Sequence, residues 1–148
     1  MKLLTGEYNN ALDDKGRLSF PAKLRTELEQ NALIVTRSYL DHCLQLFTVE
    51  EWDQLKTRIM ASVSPFSKEN MNVVRRFIAP AQLVEFDKAG RLSIPQSLRE
   101  YAGLSKDCTI LGMDKFMEVW DSEKYQQYLE STEDQFQNVA EDLRNISF

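Results

Sequence analysis

Asp13-Asp14-Lys15-Gly16-Arg17-Leu18-Ser19-Phe20-Pro21-Ala22-Lys23-Leu24-Arg25 is written a second time as Asp87-Lys88-Ala89-Gly90-Arg91-Leu92-Ser93-Ile94-Pro95-Gln96-Ser97-Leu98-Arg99. At a shift of 74 residues the two copies share Asp, Gly, Arg, Leu, Ser, Pro, Leu and Arg, 8 of 13 positions. Self-similarity this dense marks an internal repeat, and it decides the architecture. In each copy a short alternating stretch, over 7–12 and 83–86, runs into Asp-x-x-Gly-Arg. The glycine, Gly16 or Gly90, can take the positive φ that closes a three-residue hairpin turn. On the return, Arg17-Leu18-Ser19-Phe20 and Arg91-Leu92-Ser93-Ile94 alternate outward and inward with the period of a strand. Pro21 and Pro95 then open short helices predicted over 21–28 and 95–102, at a position where an N–H would have no partner, and Gly103 stops the second.

The likeness continues beyond the motif. Residues 33–36 and 109–111 read as a third strand, and 43–47 and 116–120 as a fourth, now at a shift of 73 because the connecting loops differ in length. Each unit is therefore strand, hairpin, strand, short helix, strand, turn, strand. Between the units, Thr48-Val49-Glu50-Glu51 is a capping box, and Trp52, Leu55 and Ile59 mark one face of a helix ending near Ala61. A second helix, predicted over 68–79, carries Met71, Val74, Phe77 and Ile78 on one face with Arg75 and Arg76 beside it, and should pair with the first as a hairpin. After the second unit, Asp121 or Ser122 can cap an amphipathic stretch bearing Tyr125, Tyr128, Leu129, Phe136, Val139 and Leu143. Thr132-x-x-Gln135 can cap a fresh helix within it, and the stripe is expected to cover the core or a neighbouring subunit. The expected organisation is a first repeat over 7–54, a helical insert over 55–80, a second repeat over 81–126 and an acidic helical tail over 127–148.

A chain of 148 residues with 43% apolar content can build a core, whereas units of about fifty residues are marginal alone, so the repeats should fold as one body. No secretory signal is visible, and no apolar run approaches the ~20 residues of a membrane span. Cys43 and Cys108 need no disulfide, and a cytoplasmic location is expected. The net charge of −5 is uneven: residues 121–148 hold 7 acids and 2 bases, leaving 16 of each sign in residues 1–120. An acidic tail on a neutral body is compatible with a local basic surface.

Catalytic chemistry is sparse. His42 lies between Asp41 and Cys43, but no paired CxxC or other four-ligand zinc pattern accompanies it. The sequence carries no GxGxxG, no Walker-type phosphate loop and no GxSxG elbow. No catalytic residue, metal or cofactor is assigned, no small-molecule substrate is expected, and an enzyme ranks below a binding function. What remains is the hairpin tips. Asp13 and Arg17, like Asp87 and Arg91, should face each other across their turn. One reading makes them cross-strand ion pairs that fix register. The other gives Arg17 and Arg91, with Lys15 and Lys88 at the turns, to a phosphate backbone or a guanine edge. For one copy the two readings weigh equally, and the repetition of a cationic tip favours recognition of a repeating polyanion. Arg25 and Arg99, on the short helices, read as internal structural arginines.

The doubled Asp-x-x-Gly-Arg-Leu-Ser-x-Pro, from Asp13 to Pro21 and from Asp87 to Pro95, resembles the MraZ family, grouped with the AbrB and SpoVT-type transcription factors. The resemblance covers the chain apart from its C-terminal helix, and the family's Asp-x-x-x-Arg motif falls on Asp13 and Arg17 and on Asp87 and Arg91. It implies an α+β fold with a mainly β core, a double-split β-barrel made by two interlocking halves, and a ring-shaped homo-oligomer. It also implies a cytoplasmic, nucleoid-associated regulator that binds short tandem repeats in double-stranded DNA upstream of the bacterial division and cell wall gene cluster, its own gene included. On that expectation Arg17 and Arg91 bind DNA, Lys15 and Lys88 assist through phosphates, Asp13 and Asp87 orient the arginines, and Gly16 and Gly90 close the turns. The alternative is a non-enzymatic protein-interaction or antitoxin-like assembly module whose tips are ion pairs.

Overall fold

The computed structural model describes residues 3–146. Its elements run β1 (Thr5–Ala11), β2 (Arg17–Ser19), α1 (Ala22–Arg25), β3 (Ala32–Arg37), β4 (Leu44–Phe47), α2 (Val49–Ser62) and α3 (Lys68–Val73), the last continuing as a π-helical turn, Val74–Ile78. They go on with β5 (Gln82–Glu85), β6 (Arg91–Ser93), α4 (Gln96–Ala102), β7 (Asp107–Met113), β8 (Met117–Asp121), α5 (Ser122–Ser131) and α6 (Glu133–Arg144). The fold is α+β and mainly antiparallel. No helix among the described residues is long and apolar enough to cross a membrane.

Hydrogen bonding joins six strands in the order β1-β7-β8-β4-β3-β5, and β2 pairs separately with β6. The six-stranded sheet is open, with β1 and β5 at its edges, so its hydrogen bonds do not close a barrel. The strand order is unchanged when β1, β2, β3 and β4 are exchanged for β5, β6, β7 and β8. Each first strand has crossed to the other half: β1 lies on β7, with Tyr8 opposite Ile110, and β5 lies on β3, with Val84 opposite Leu33. Alternation along the central strands gives both sheet faces apolar side chains, as a sheet covered on both sides requires. One face presents Leu33, Val35, Leu44, Leu46, Ile110 and Val119 to the inner side of the β2–β6 ribbon and to α1 and α4. The ribbon answers with Leu18 and Leu92, both fully buried, and Phe20 meets Phe86 edge-on at 5.3 Å.

The other face is covered in two places. Trp120, Cys43 and Leu111 pack under Tyr125 and Tyr128 of α5, while Phe47, Trp52 and Phe77 join α2 to the π-helical turn. The predicted second helix of the insert is present, but its C-terminal half is π-wound, a change of winding that apolar spacing does not encode. Thr48 caps α2 as expected, accepting from the Glu51 amide at 3.2 Å. The C-terminal stretch does break at Thr132. That threonine does not cap α6, however, because its hydroxyl donates backward to the Tyr128 carbonyl at 2.6 Å. Pro21 and Pro95 stand one position earlier than expected, as extended residues preceding their helices, and α1 is shorter than predicted.

Candidate nucleic-acid interface

Each hairpin tip is organised by its aspartate. In the first, Asp13 N–H donates to the Arg17 carbonyl and Gly16 N–H to the Asp13 carbonyl, both at 3.0 Å, which closes the three-residue turn. Asp13 Oδ1 accepts from the Lys15 amide at 3.0 Å and the Arg17 amide at 2.9 Å, and Oδ2 accepts from Arg17 Nε at 2.7 Å. The second tip repeats this: Asp87 Oδ1 takes the Ala89 and Arg91 amides, and Oδ2 takes Arg91 Nε, all at 2.9 Å. The Arg17 amide above all, with its guanidinium adding to the effect against slight desolvation, holds the Asp13 carboxyl below the usual carboxylate range. Asp87 is lowered in the same way by Arg91. Both carboxylates therefore stay ionised to lower pH than an ordinary aspartate, and each holds an arginine by its Nε.

The ribbon register then brings the tips together. Arg17 stands opposite Ser93, Leu18 opposite Leu92 and Ser19 opposite Arg91. With the leucines turned into the core, Arg17, Ser19, Arg91 and Ser93 share the outer face. Arg91 Nη1 also approaches Asp13 Oδ2 of the other tip at 3.7 Å, so the two repeats contribute to one electrostatic unit. Lys15 and Lys88 are exposed at the turns but at different positions, the third residue of one motif and the second of the other. All eight residues singled out in the sequence thus lie on the two turns and the strand residues they lead into, one turn at each end of the three-residue ribbon. Sequence reasoning did not single out Ser19 and Ser93 as part of this surface, although their spacing of two from each arginine places them on its face of the strand.

Both turn glycines adopt positive φ, +78° at Gly16 and +77° at Gly90. Each is also roofed by an arginine from the opposite repeat. A Cβ on Gly16 would collide with the Arg99 guanidinium, and one on Gly90 would come within 2.6 Å of Arg25 Cζ. Arg99 Nη1 donates to the Ile94 carbonyl at 3.0 Å, and Ile94 N–H donates to the Gly16 carbonyl at 2.9 Å. Arg25 and Arg99 thus each lie over the turn of the opposite repeat, Arg99 hydrogen-bonding within its own repeat and Arg25 Nε buried without a partner among the described residues.

His42 is exposed and stacks on Tyr101 with ring centroids 5.1 Å apart. Cys43 and Cys108 are buried free thiols in different apolar clusters; burial is the main cause raising the Cys108 thiol to about 12 and Cys43 further still. Among the described residues no group of three or more His, Cys, Asp or Glu side chains is placed to hold a metal.

A family model described as "MraZ protein, putative antitoxin-like" matches this chain twice, over residues 3–76 and 77–145. The Transcriptional regulator MraZ of Treponema denticola is 50% identical over 145 residues, 98% of this chain and 100% of that protein. The Transcriptional regulator MraZ of Treponema pallidum (strain Nichols) is 45% identical over 142 residues, 96% of this chain and 95% of that one. Among solved structures, the solution structure of PHS018 from Pyrococcus horikoshii covers 80% of this chain and 89% of its own at 15% identity. Its TM-score of 0.33 is too low to bear on the fold. The two-fold match of the family model, together with near-full-length identity of half the residues to a regulator of that name, places the chain in the MraZ family.

Proposed function

We propose that this protein is a DNA-binding transcriptional regulator, without catalytic activity, that reads duplex DNA with the outer face of the β2–β6 ribbon. The observation that carries the reading is the convergence of the two Asp-Arg tips on one ribbon. Two arginines, each held by its Nε, stand beside two serine hydroxyls on a face that the fold leaves to solvent. Arg17's terminal nitrogens make no hydrogen bond among the described residues, which leaves the pair of donors suited to the O6 and N7 of guanine or to a phosphate. A two-stranded ribbon is of a width that the major groove accepts. Lys15 and Lys88 then supply sequence-independent phosphate contacts.

Asp13, Asp14 and Asp87 offset most of the positive charge of these four cations, so one ribbon alone should bind weakly. Assembly of several copies into a ring on tandem DNA repeats compensates, since each further contact is made at high effective concentration. In this reading the ribbon seated on the open sheet is the split half of a double-split barrel. The reading extends, on the family resemblance, to regulation of the division and cell wall gene cluster, including the chain's own gene, from a position on the nucleoid in the cytoplasm. The naming of its relatives as transcriptional regulators supports the same view.

Fluorescence anisotropy on a duplex from the gene's own upstream region, titrated at several salt concentrations, tests this. The wild type should bind with a steep salt slope. Arg17→Ala and Arg91→Ala should each lower affinity by about 1–3 kcal/mol and relax specificity, while Lys15→Ala should weaken all sequences alike and reduce the slope by about 1. Equal binding by wild type and both arginine variants, with assembly intact, would reduce the tips to structural ion pairs and favour the interaction-module alternative.

A further inference from the structure

The side of the molecule formed by the insert carries a groove of about 680 Å³ between α2, the π-helical turn and the β3–β4 loop. Leu55, Ile59 and Phe77 supply apolar lining, and Arg37, Arg76 and His42 also line it, with no aspartate or glutamate among the lining residues. Arg37 lies over the Tyr101 ring at 4.9 Å, and its Nε is buried without a hydrogen-bond partner among the described residues. Apolar side chains continue onto the open surface here: Tyr39, which lines the groove, is 66% exposed, its neighbour Leu40 65%, and Val73 43%. An apolar channel with an apolar rim and an excess of positive charge calls for an acidic, amphipathic occupant.

The chain itself carries a segment of that description. Along α6, Phe136, Val139 and Leu143 recur at helical spacing on one stripe and are 57%, 60% and 52% exposed. The same twelve residues hold Glu133, Asp134, Glu141 and Asp142 against Arg144 alone. The face of α5 is used, because Tyr125 and Tyr128 cover Trp120, but the face of α6 meets no core cluster among the described residues.

We propose that the groove of one copy receives α6 of a second copy. Phe136, Val139 and Leu143 seat against Leu55, Ile59 and Phe77, and the acids of α6 meet Arg37 and Arg76. This is helix-in-groove recognition. The two surfaces are different, so the contact is heterologous: every chain offers one groove and one helix, and repeated addition closes a ring if the rotation allows. The inference rests on the self-assembly reading above and names the surfaces that would build the ring.

The test uses full-length chains measured by sedimentation velocity. A groove variant, Val73→Asp with Arg76→Glu, and a helix variant, Phe136→Ser with Leu143→Ser, alter exposed positions and are checked for native circular dichroism. The wild type should sediment as a closed multimer and each variant as a 17.2 kDa monomer. An equimolar mixture of the two should form a dimer and nothing larger, because it contains one intact groove and one intact helix. That dimer also shows that the mutated chains are folded. If the wild type assembles and either variant assembles as it does, or the mixture remains monomeric, this interface is wrong. The groove is then left to another occupant, such as a small amphipathic anion. A monomeric wild type would overturn the self-assembly reading itself.

Discussion

Gly16 answers to two constraints at once. Its φ of +78° closes the turn, and the Arg99 guanidinium of the opposite repeat occupies the space where a Cβ would project. The first constraint acts within the hairpin and the second across the molecule, so they can be separated. Gly16→Ala should destabilise by about 1–3 kcal/mol through backbone strain alone, with the collision adding to it. In an Arg99→Ala background the collision disappears while the strain remains. A double-mutant cycle read by urea denaturation should therefore give Gly16→Ala a smaller cost in that background, with a coupling of at least 0.5 kcal/mol by the usual scale of contacting residues. Strict additivity would mean that Arg99 moves aside freely and braces nothing. Gly90 with Arg25 forms the matching case.

At the scale of elements, the centre of the sheet holds a polar pair that the strand register explains. Gln45 of β4 stands directly opposite Glu118 of β8, at the same position of the two repeats. Neither is exposed: among the described residues, Gln45 is fully buried with its amide nitrogen and oxygen unpartnered, and Glu118 accepts only the Trp120 indole N–H, at 3.0 Å. Burial raises the Glu118 carboxyl above its ordinary value of 4.5, the indole opposing and Asp41 adding to the rise. A raised folded-state value means that the native protein keeps a proton the unfolded chain has released. The stability this confers is complete below pH 4.5 and is lost as pH climbs through the raised value. Glu118→Gln removes the titration and can still accept from Trp120. It should melt above wild type at pH 7.5, because it carries no charge to bury there. The gain should shrink towards pH 4.5, and an equal gain at both pH values would place its origin in packing rather than protonation.

The same scale shows what the sequence could and could not convey. Asp-x-x-Gly-Arg, the alternation of Arg17 to Phe20, the Thr48 cap and the position of both tips are local features, and local chemistry reveals them. The pairing of β2 with β6, the arginines lying over the opposite turns and the π-winding of Val74–Ile78 depend on contacts between residues far apart in the chain, which spacing does not specify. Thr132 illustrates the boundary: two backbone acceptor and donor choices compete for one hydroxyl, and the preceding turn wins.

For the molecule as a whole, the exchange of β1 and β5 between halves sets how it must fold. Cutting the chain in the loop after Ser64 would leave one fragment with β1 to β4 and α2, and another with β5 to β8 and the C-terminal helices. In the first, β1 loses β7, β3 loses β5 and β4 loses β8; in the second, the same three pairings are lost from the other side. The ribbon separates as well, which exposes Leu18 in one fragment and Leu92 in the other. Neither fragment can satisfy its edge strands or cover its apolar face by itself, and a unit of about sixty residues is already marginal. No folded monomer of either half should therefore exist. Circular dichroism should show each fragment unfolded at low concentration, and equimolar mixing should restore the native spectrum as a one-to-one complex. Because the halves share the motif, a fragment can also gain structure at high concentration by pairing with its own copy in place of the missing half. Any such gain should follow protein concentration and sediment as a dimer. A fragment that is folded and monomeric at every concentration would show that the exchanged strands are dispensable and that each repeat contains its own core.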